Sequence, residues 1–131
     1  MASAARPTTR GPVLAAGLGL LLAACTSTPD RPAVDPRFAA AVRDHYNANA
    51  AEDLAGCDRP QLVLLRELVT VSSTPEMGVL RMRAVFDFEQ RDPQTLQLIC
   101  SGQGRRFFTV APARTGAPTV QGMSGRRRAA A

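Results

Sequence analysis

The sequence contains no lysine, no tryptophan, a single histidine and only three cysteines in 131 residues. A structural zinc site needs four ligands at short paired spacings. His45, Cys57 and Cys100 do not supply such a set, so we expect no metal, with a site at these three residues as the alternative. The 16 basic residues are all arginine, and they outnumber the 11 acidic residues. They are scattered apart from one cluster, and we expect no nucleic-acid partner.

A long apolar run is also missing. The longest uncharged apolar stretch, residues 13–24, has 12 residues. As a helix it would span roughly 18 Å, whereas a bilayer core is about 30 Å thick. The stretch is instead typical of a secretory signal peptide, because Arg6 and Arg10 precede it with no acidic residue nearby. We expect residues 1–24 to direct export, with a buried helix of a soluble protein as the alternative.

The end of this stretch, Leu22-Ala23-Ala24-Cys25, resembles the bacterial lipobox, in which a branched apolar residue and two small residues precede a cysteine. The resemblance covers residues 1–25 only, and residues 26–131 resemble no known family. It implies cleavage before Cys25 and a diacylglyceryl thioether on the Cys25 sulfur. Two acyl chains give stable membrane attachment. The alternative is an ordinary signal-peptidase site beside a chance cysteine.

A bacterial lipoprotein of this kind would face the periplasm. Thr26 follows the cysteine where an aspartate would imply retention at the inner membrane, so the resemblance implies the outer membrane. Residues 25–34 are small, polar and proline-bearing, as in a tether. Residues 111–131 have few apolar anchors, so we expect a disordered tail. Its basic cluster, residues 126–128, is either solvated or drawn to anionic headgroups and polymers.

The folded part is expected to span residues 35–110 and to begin with a helix. Asp35 is a good N-cap and Pro36 a good first helical residue. Gly56 is placed to end the helix. Asn47 and Asn49 have low helix propensity and weaken the second half of the predicted helix. Apolar residues recur at helical spacing at Phe38, Val42, His45 or Tyr46, and Leu54.

Strands follow the helix. Residues 61–73 are rich in leucine and valine and predict a strand, although a helix stays possible. Residues 78–89 alternate strictly, which is typical of an antiparallel strand with one buried face. Residues 96–100 and 105–110 predict two more strands, joined by a tight connection at 101–104. The fold class is therefore α+β, with one N-terminal helix packed on a three- to four-stranded antiparallel meander.

Cys57 and Cys100 are the remaining cysteines once residue 25 is lipidated. An even pair in an oxidising compartment, outside a redox motif, predicts a structural disulfide. It would connect the end of the helix to the buried face of the third strand. The alternative is a pair of buried free thiols.

No catalytic set is evident. His45 has no paired nucleophile, and the Gly102-Gln103-Gly104 segment does not open a helix, as a phosphate cradle requires. The carboxylate pairs Glu52-Asp53 and Asp87/Glu89 lie at a helix end and on a solvated strand face. We expect neither enzymatic activity nor a cofactor.

These features favour an accessory or interaction module of the cell envelope. The candidate contacts for a protein or polymer partner are Arg81, Arg83 and Arg105, on the solvated face of the sheet. The alternative is a carrier of small apolar molecules, which requires a cavity of roughly 300 Å³ or more. Its predicted lining is Phe86, Phe88, Phe107 and Phe108.

Overall fold

The computed structural model describes residue 11 and residues 34–129. By its contacts the chain divides into two units, Met1–Arg31 and Pro32–Ala131, and the fold below belongs to the second. Cys25, nearly all of the predicted signal and most of the tether lie outside the described residues. The elements are α1 (Pro36–Asn49), β1 (Gln61–Thr74), β2 (Val79–Arg91), β3 (Leu98–Ala111) and β4 (Thr119–Met123). The strands form one antiparallel sheet in the order β1-β2-β3-β4, which confirms the α+β class.

Helix α1 begins as predicted but ends earlier. The Asp35 side chain accepts a hydrogen bond from the backbone N–H of Arg37, and Pro36 opens the helix. The helix stops at Asn49, because the Asn47 side chain accepts from the Leu62 backbone N–H of β1 at 2.8 Å and Ala50 is extended. Gly56 does adopt the left-handed conformation, but it ends a separate short turn, Asp53–Ala55.

The core lies between α1 and one face of the sheet. Val42 and Tyr46 of α1 are fully buried, as are Phe86 of β2 and Phe108 of β3. The Tyr46 and Phe86 rings meet edge to face, with centroids 4.7 Å apart. The helical spacing therefore predicted Val42 and Tyr46 correctly, whereas Phe38 is only partly buried. Leu54 is fully exposed because the helix ends before it.

Residues 61–74 form a strand, which settles the open choice in favour of β1. Its pairing with β2 contains three register shifts, after Leu62, Leu65 and Thr70. Each shift is an irregularity at an edge strand, where such features limit pairing with other chains. The alternation of buried and more exposed side chains is consequently regular along β2 and irregular along β1.

The tight connection predicted at 101–104 is wrong, because β3 runs unbroken from Leu98 to Ala111. Gly102 and Gly104 lie inside the strand, opposite Phe88 and Phe86 on β2. A Cβ atom on Gly104 would lie 2.6 Å from the Phe86 ring, and one on Gly102 would lie 2.8 Å from the Phe88 ring. These glycines make room for two buried aromatic rings.

We expect Gly104→Ala to lower the free energy of unfolding by about 1–3 kcal/mol, the usual cost of overpacking a core. The Phe86 ring cannot move aside, since it is fully buried against Tyr46. Urea denaturation measures the effect. Gly122→Ala is the matched control on β4, because its nearest neighbour, Thr109, would be 3.9 Å away. Equal midpoints for the two variants would contradict this explanation of the strand glycine.

The expected disorder of residues 111–131 is also wrong over most of that range. Residues 119–123 form β4, which pairs with the end of β3 and buries Met123. Beyond β4, the Arg128 backbone N–H donates to the Asn49 carbonyl at 2.7 Å, and the Ala51 N–H donates to the Arg126 carbonyl. The segment is ordered by backbone pairing with α1 and β3, which its low apolar content does not reveal.

The predicted disulfide is confirmed. Cys57, just after the Asp53–Ala55 turn, is bonded to Cys100 on the inner face of β3, with Cα atoms 5.8 Å apart. Both cysteines are buried. The bond joins the segment after α1 to the sheet at a separation of 43 residues.

Candidate functional site

The three predicted contact arginines lie together on the face of the sheet that points away from α1. We call this surface the open face. Arg81 and Arg83 extend from β2, and Arg105 extends from β3. The register places Arg83 opposite Phe107 and Val85 opposite Arg105. The alternation of side chains along each strand therefore predicted that the three arginines point to the same side of the sheet.

The arginines of the open face differ in their partners. The Arg81 guanidinium carbon lies 4.6 Å from the centroid of the Phe107 ring, a cation–π contact. Arg83 forms an ion pair with Glu67 of β1, with Nη2 and Oε1 2.6 Å apart. Arg105 is exposed and has no ion pair with any residue in the described part of the chain. The guanidinium groups of Arg105 and Arg81 are thus the groups on the open face that are most available to a partner.

The carboxylates of β2 are engaged in ion pairs. Arg66 donates two hydrogen bonds to Asp87, at 2.8 and 2.6 Å, and these hold the pKa of Asp87 below its ordinary value. Arg91 likewise donates a hydrogen bond to Glu89 and holds the pKa of Glu89 below its ordinary value. Both groups are ionised at neutral pH and suit ion pairing rather than proton donation. Their partners are Arg66 of β1 and Arg91 of β2 itself.

A buried arginine, Arg106, occupies the core side of β3. Its side chain is 4% exposed. Its Nε donates to Glu52 Oε1 at 3.0 Å, and its Nη2 donates to the Ala51 carbonyl at 2.7 Å. Its Nη1 donates to the carbonyls of Ser124 and Arg126, at 2.8 and 2.9 Å. One side chain therefore joins β3, the segment after α1 and the segment after β4.

Glu52 completes this buried network. Its Oε1 also accepts a hydrogen bond from the Tyr46 hydroxyl at 3.0 Å. Burial, together with the nearby Glu52 charge, raises the pKa of Tyr46, so the phenol stays protonated and remains a donor. Every polar group of the network has a partner, as a buried charge requires. The network joins α1, the segment after it, β3 and the segment after β4 through paired charges and hydrogen bonds.

Sequence reasoning missed Arg106, although a signal was present. Arg106 shares strand parity with Phe108 and Val110, both fully buried. An arginine on the apolar side of a strand predicts a buried carboxylate partner, and Glu52 was noted only as half of a possible catalytic pair. The other half, Asp53, forms a surface ion pair with Arg126.

His45 packs on the core edge of α1. Its ring meets Phe108 edge to face at 6.4 Å, and its Nε2 is buried without a hydrogen-bond partner among the described residues. Burial, reinforced by the charge of Arg127, lowers the pKa of His45. Within the described residues no nucleophile is hydrogen-bonded to the ring, which packs against Phe108.

We expect the stability of the domain to fall as the pH is lowered from about 7 to 5. In the unfolded chain His45 takes up a proton near pH 6.5, but in the folded chain its lowered pKa delays this uptake. The unfolded state therefore binds more protons in this window and is favoured. Urea midpoints at pH 7.5 and 5.5 measure the change. His45→Gln removes the only histidine of the chain, and an unchanged pH dependence in that variant would contradict the assignment.

An apolar cavity of about 360 Å³ lies where the chain enters α1. It meets the volume predicted for a carrier, but its lining is different. Phe86, Phe88 and Phe108 are packed in the core, and Phe107 lies on the open face. The cavity is lined mainly by apolar side chains of the first turn of α1 and of β1 and β2, among them Phe38, Leu68, Leu80 and Met82.

No group of three or more metal-ligating side chains occurs within residue 11 and residues 34–129. In the same residues, no helix is both long enough and apolar enough to cross a membrane. The chain has no significant similarity to any family model, curated protein or solved structure.

Proposed function

We propose that the chain is a lipid-anchored protein of the bacterial cell envelope whose folded domain is an interaction module. Cys25 would carry the lipid and hold the domain at the periplasmic side of the outer membrane. The observation that carries the proposal is the buried disulfide between Cys57 and Cys100. Structural disulfides form in oxidising compartments outside the cytosol, which agrees with export and with the lipobox resemblance.

The open face is the proposed contact surface. It combines exposed guanidinium groups with an aromatic ring, and both kinds of group are enriched where proteins bind partners. Arg81 is already oriented by Phe107, and Arg105 has no ion pair in the described residues. These groups suit an acidic surface on an envelope protein or polymer. The proposal assigns the domain no catalytic step.

The anchor is tested by metabolic labelling with an alkyne fatty acid. We expect the wild-type protein to be labelled and to fractionate with the outer membrane. Cys25→Ala should lose the label, because it removes the acceptor sulfur. Cys57→Ser is the matched control and should keep the label. An unlabelled wild-type protein in the cytosolic fraction would overturn the proposal.

The open face is tested by crosslinking in intact cells. Arg81→Gln/Arg105→Gln should lose a specific crosslinked partner that the wild-type protein captures. Arg43→Gln/Arg114→Gln removes the same charge from exposed positions elsewhere and should retain the partner. If the two double variants behave alike, the open face is not the contact surface.

The apolar cavity favours a second function, the carriage of a small apolar molecule. A volume of about 360 Å³ lies at the lower end of the range for ligand sites. A fluorescent fatty acid should bind the wild-type protein and fail to bind Leu80→Trp, which fills the cavity. Val63→Trp, on the exposed edge of β1, is the control. Equal binding by all three proteins would exclude the cavity as the carrier site.

A further inference from the structure

The arginine cluster at residues 126–128 lines a cleft at the C-terminal end of α1. The cleft has a volume of about 760 Å³, and Asn49, Asp53, Asp58 and Arg59 also line it. Four guanidinium groups therefore face two carboxylates. We call this site the basic cleft. It is separate from the open face, because its residues come from α1, the segments after it and the segment after β4.

The cluster is held on an ordered backbone. The Arg126 carbonyl accepts hydrogen bonds from the Ala51 backbone N–H and from Nη1 of Arg106. The Arg128 backbone N–H donates to the Asn49 carbonyl, and Nη2 of Arg128 donates to the Asn47 carbonyl at 2.9 Å. Arg127 lies between these two fixed residues and pairs with Ala50 in an isolated β-bridge. A ligand bound here would not have to order this backbone, a cost that weakens binding to flexible segments.

The two carboxylates of the cleft balance only part of the charge of its four arginines. Asp53 forms an ion pair with Arg126, and Asp58 accepts a hydrogen bond from Gln90 Nε2 at 2.6 Å. Arg59 and Arg127 have no ion pair with any residue in the described part of the chain. Four arginines against two carboxylates leave the site with a net charge of +2, and the Asp58 carboxylate offsets part of the charge of Arg59 and Arg128.

Arg128 provides a second, independent observation. Its Nε is buried and has no hydrogen-bond partner among the described residues. Its Nη2 is held by the Asn47 carbonyl, so the Arg128 guanidinium is a fixed positive charge in the wall of the cleft. Guanidinium groups bind phosphate through paired N–H donors, which makes arginine the preferred residue for this anion.

We propose that the basic cleft binds phosphate groups, with Arg59 and Arg127 as the ligand-binding donors and Arg128 as a nearby fixed charge. The cleft is at the far end of α1 from Asp35, where the tether enters, and 14 helical residues span about 21 Å. The phosphate comes either from an anionic lipid headgroup or from a soluble phosphate-bearing polymer. The proposal does not depend on lipidation of Cys25, because every group that carries it lies within residues 34–129.

The test is a titration of the full-length protein, in a non-ionic detergent, with inorganic pyrophosphate. We expect saturable binding and a shift of the Arg128 Nε–H signal in ¹H–¹⁵N spectra. Arg59→Gln/Arg127→Gln should weaken binding at least tenfold without changing the urea midpoint, because neither side chain has an ion pair in the described structure. Arg43→Gln/Arg114→Gln removes the same charge and should change binding less than twofold.

Competition identifies the source of the phosphate. Micelles doped with phosphatidylglycerol displace pyrophosphate if the ligand is a lipid headgroup, with phosphatidylcholine as the control. Soluble polyphosphate displaces it if the ligand is a polymer. Equal weakening by both double variants, or no saturable binding and no shift of the Arg128 Nε–H signal, overturns the proposal.

Discussion

Arg106→Met is expected to lower the free energy of unfolding by about 3–5 kcal/mol, the usual loss when one partner of a buried ion pair is removed. The substitution leaves the Glu52 carboxylate with only the Tyr46 hydroxyl as a donor. It also leaves the carbonyls of Ala51, Ser124 and Arg126 without this guanidinium. Because stability is a small difference between large opposing terms, a loss of this size unfolds a measurable fraction of many small domains. Chemical denaturation measured by circular dichroism gives the value.

Arg105→Met is the matched control, one residue away on the same strand. Arg105 is exposed, and surface substitutions of this kind usually change stability by less than about 0.5 kcal/mol. A second control is the double variant Glu52→Gln/Arg106→Met. Its destabilisation should be smaller than the sum of the two single effects, since residues in one network couple. Additive effects would show that the ion pair is not the cause.

Removal of the disulfide has the second largest expected effect. The entropy model for a loop of 43 residues gives about 4 kcal/mol. Small domains often depend on such a bond, because their cores bury little surface. Cys57→Ala/Cys100→Ala should therefore show a lower urea midpoint than the wild-type protein. Addition of dithiothreitol should destabilise the wild-type protein by a similar amount.

The double variant is also the control for the reductant. Dithiothreitol should leave its midpoint unchanged, because it has no bond to reduce between these positions. If the reductant affects both proteins equally, it acts by another route. If it affects neither, the disulfide contributes nothing to stability.

Periodicity predicted the parts of the fold that depend on local sequence. The alternation along β2 correctly separated Phe86, which lies in the core, from Arg81, which lies on the open face. The unbroken β3 was not predictable in this way. In a sequence, glycines in the middle of a strand resemble a turn unless the aromatic rings that pack on them are known. Phe88, which packs on Gly102, is 14 positions away from it, so the local sequence does not reveal the contact.

Long-range contacts explain the other differences. The sequence of β4 has few apolar residues, and the segment after it is ordered by carbonyls that receive hydrogen bonds from Arg106. The ion-pair partners on the open face were also missed, because register shifts in β1 move Arg66 beside Asp87. The odd or even position of a residue along a strand predicts which face of the sheet its side chain occupies. Register shifts between strands decide which residue of the neighbouring strand it contacts.

The position of Arg106 has a consequence for biogenesis. Its carbonyl partners include Ser124 and Arg126, about twenty positions further along the chain. During synthesis, the guanidinium therefore emerges from the ribosome before the carbonyl groups that compensate its burial. The domain therefore cannot complete the hydrogen bonds around Arg106 until residue 126 has left the ribosomal tunnel, so this part of the core forms only after nearly the whole chain has been synthesised.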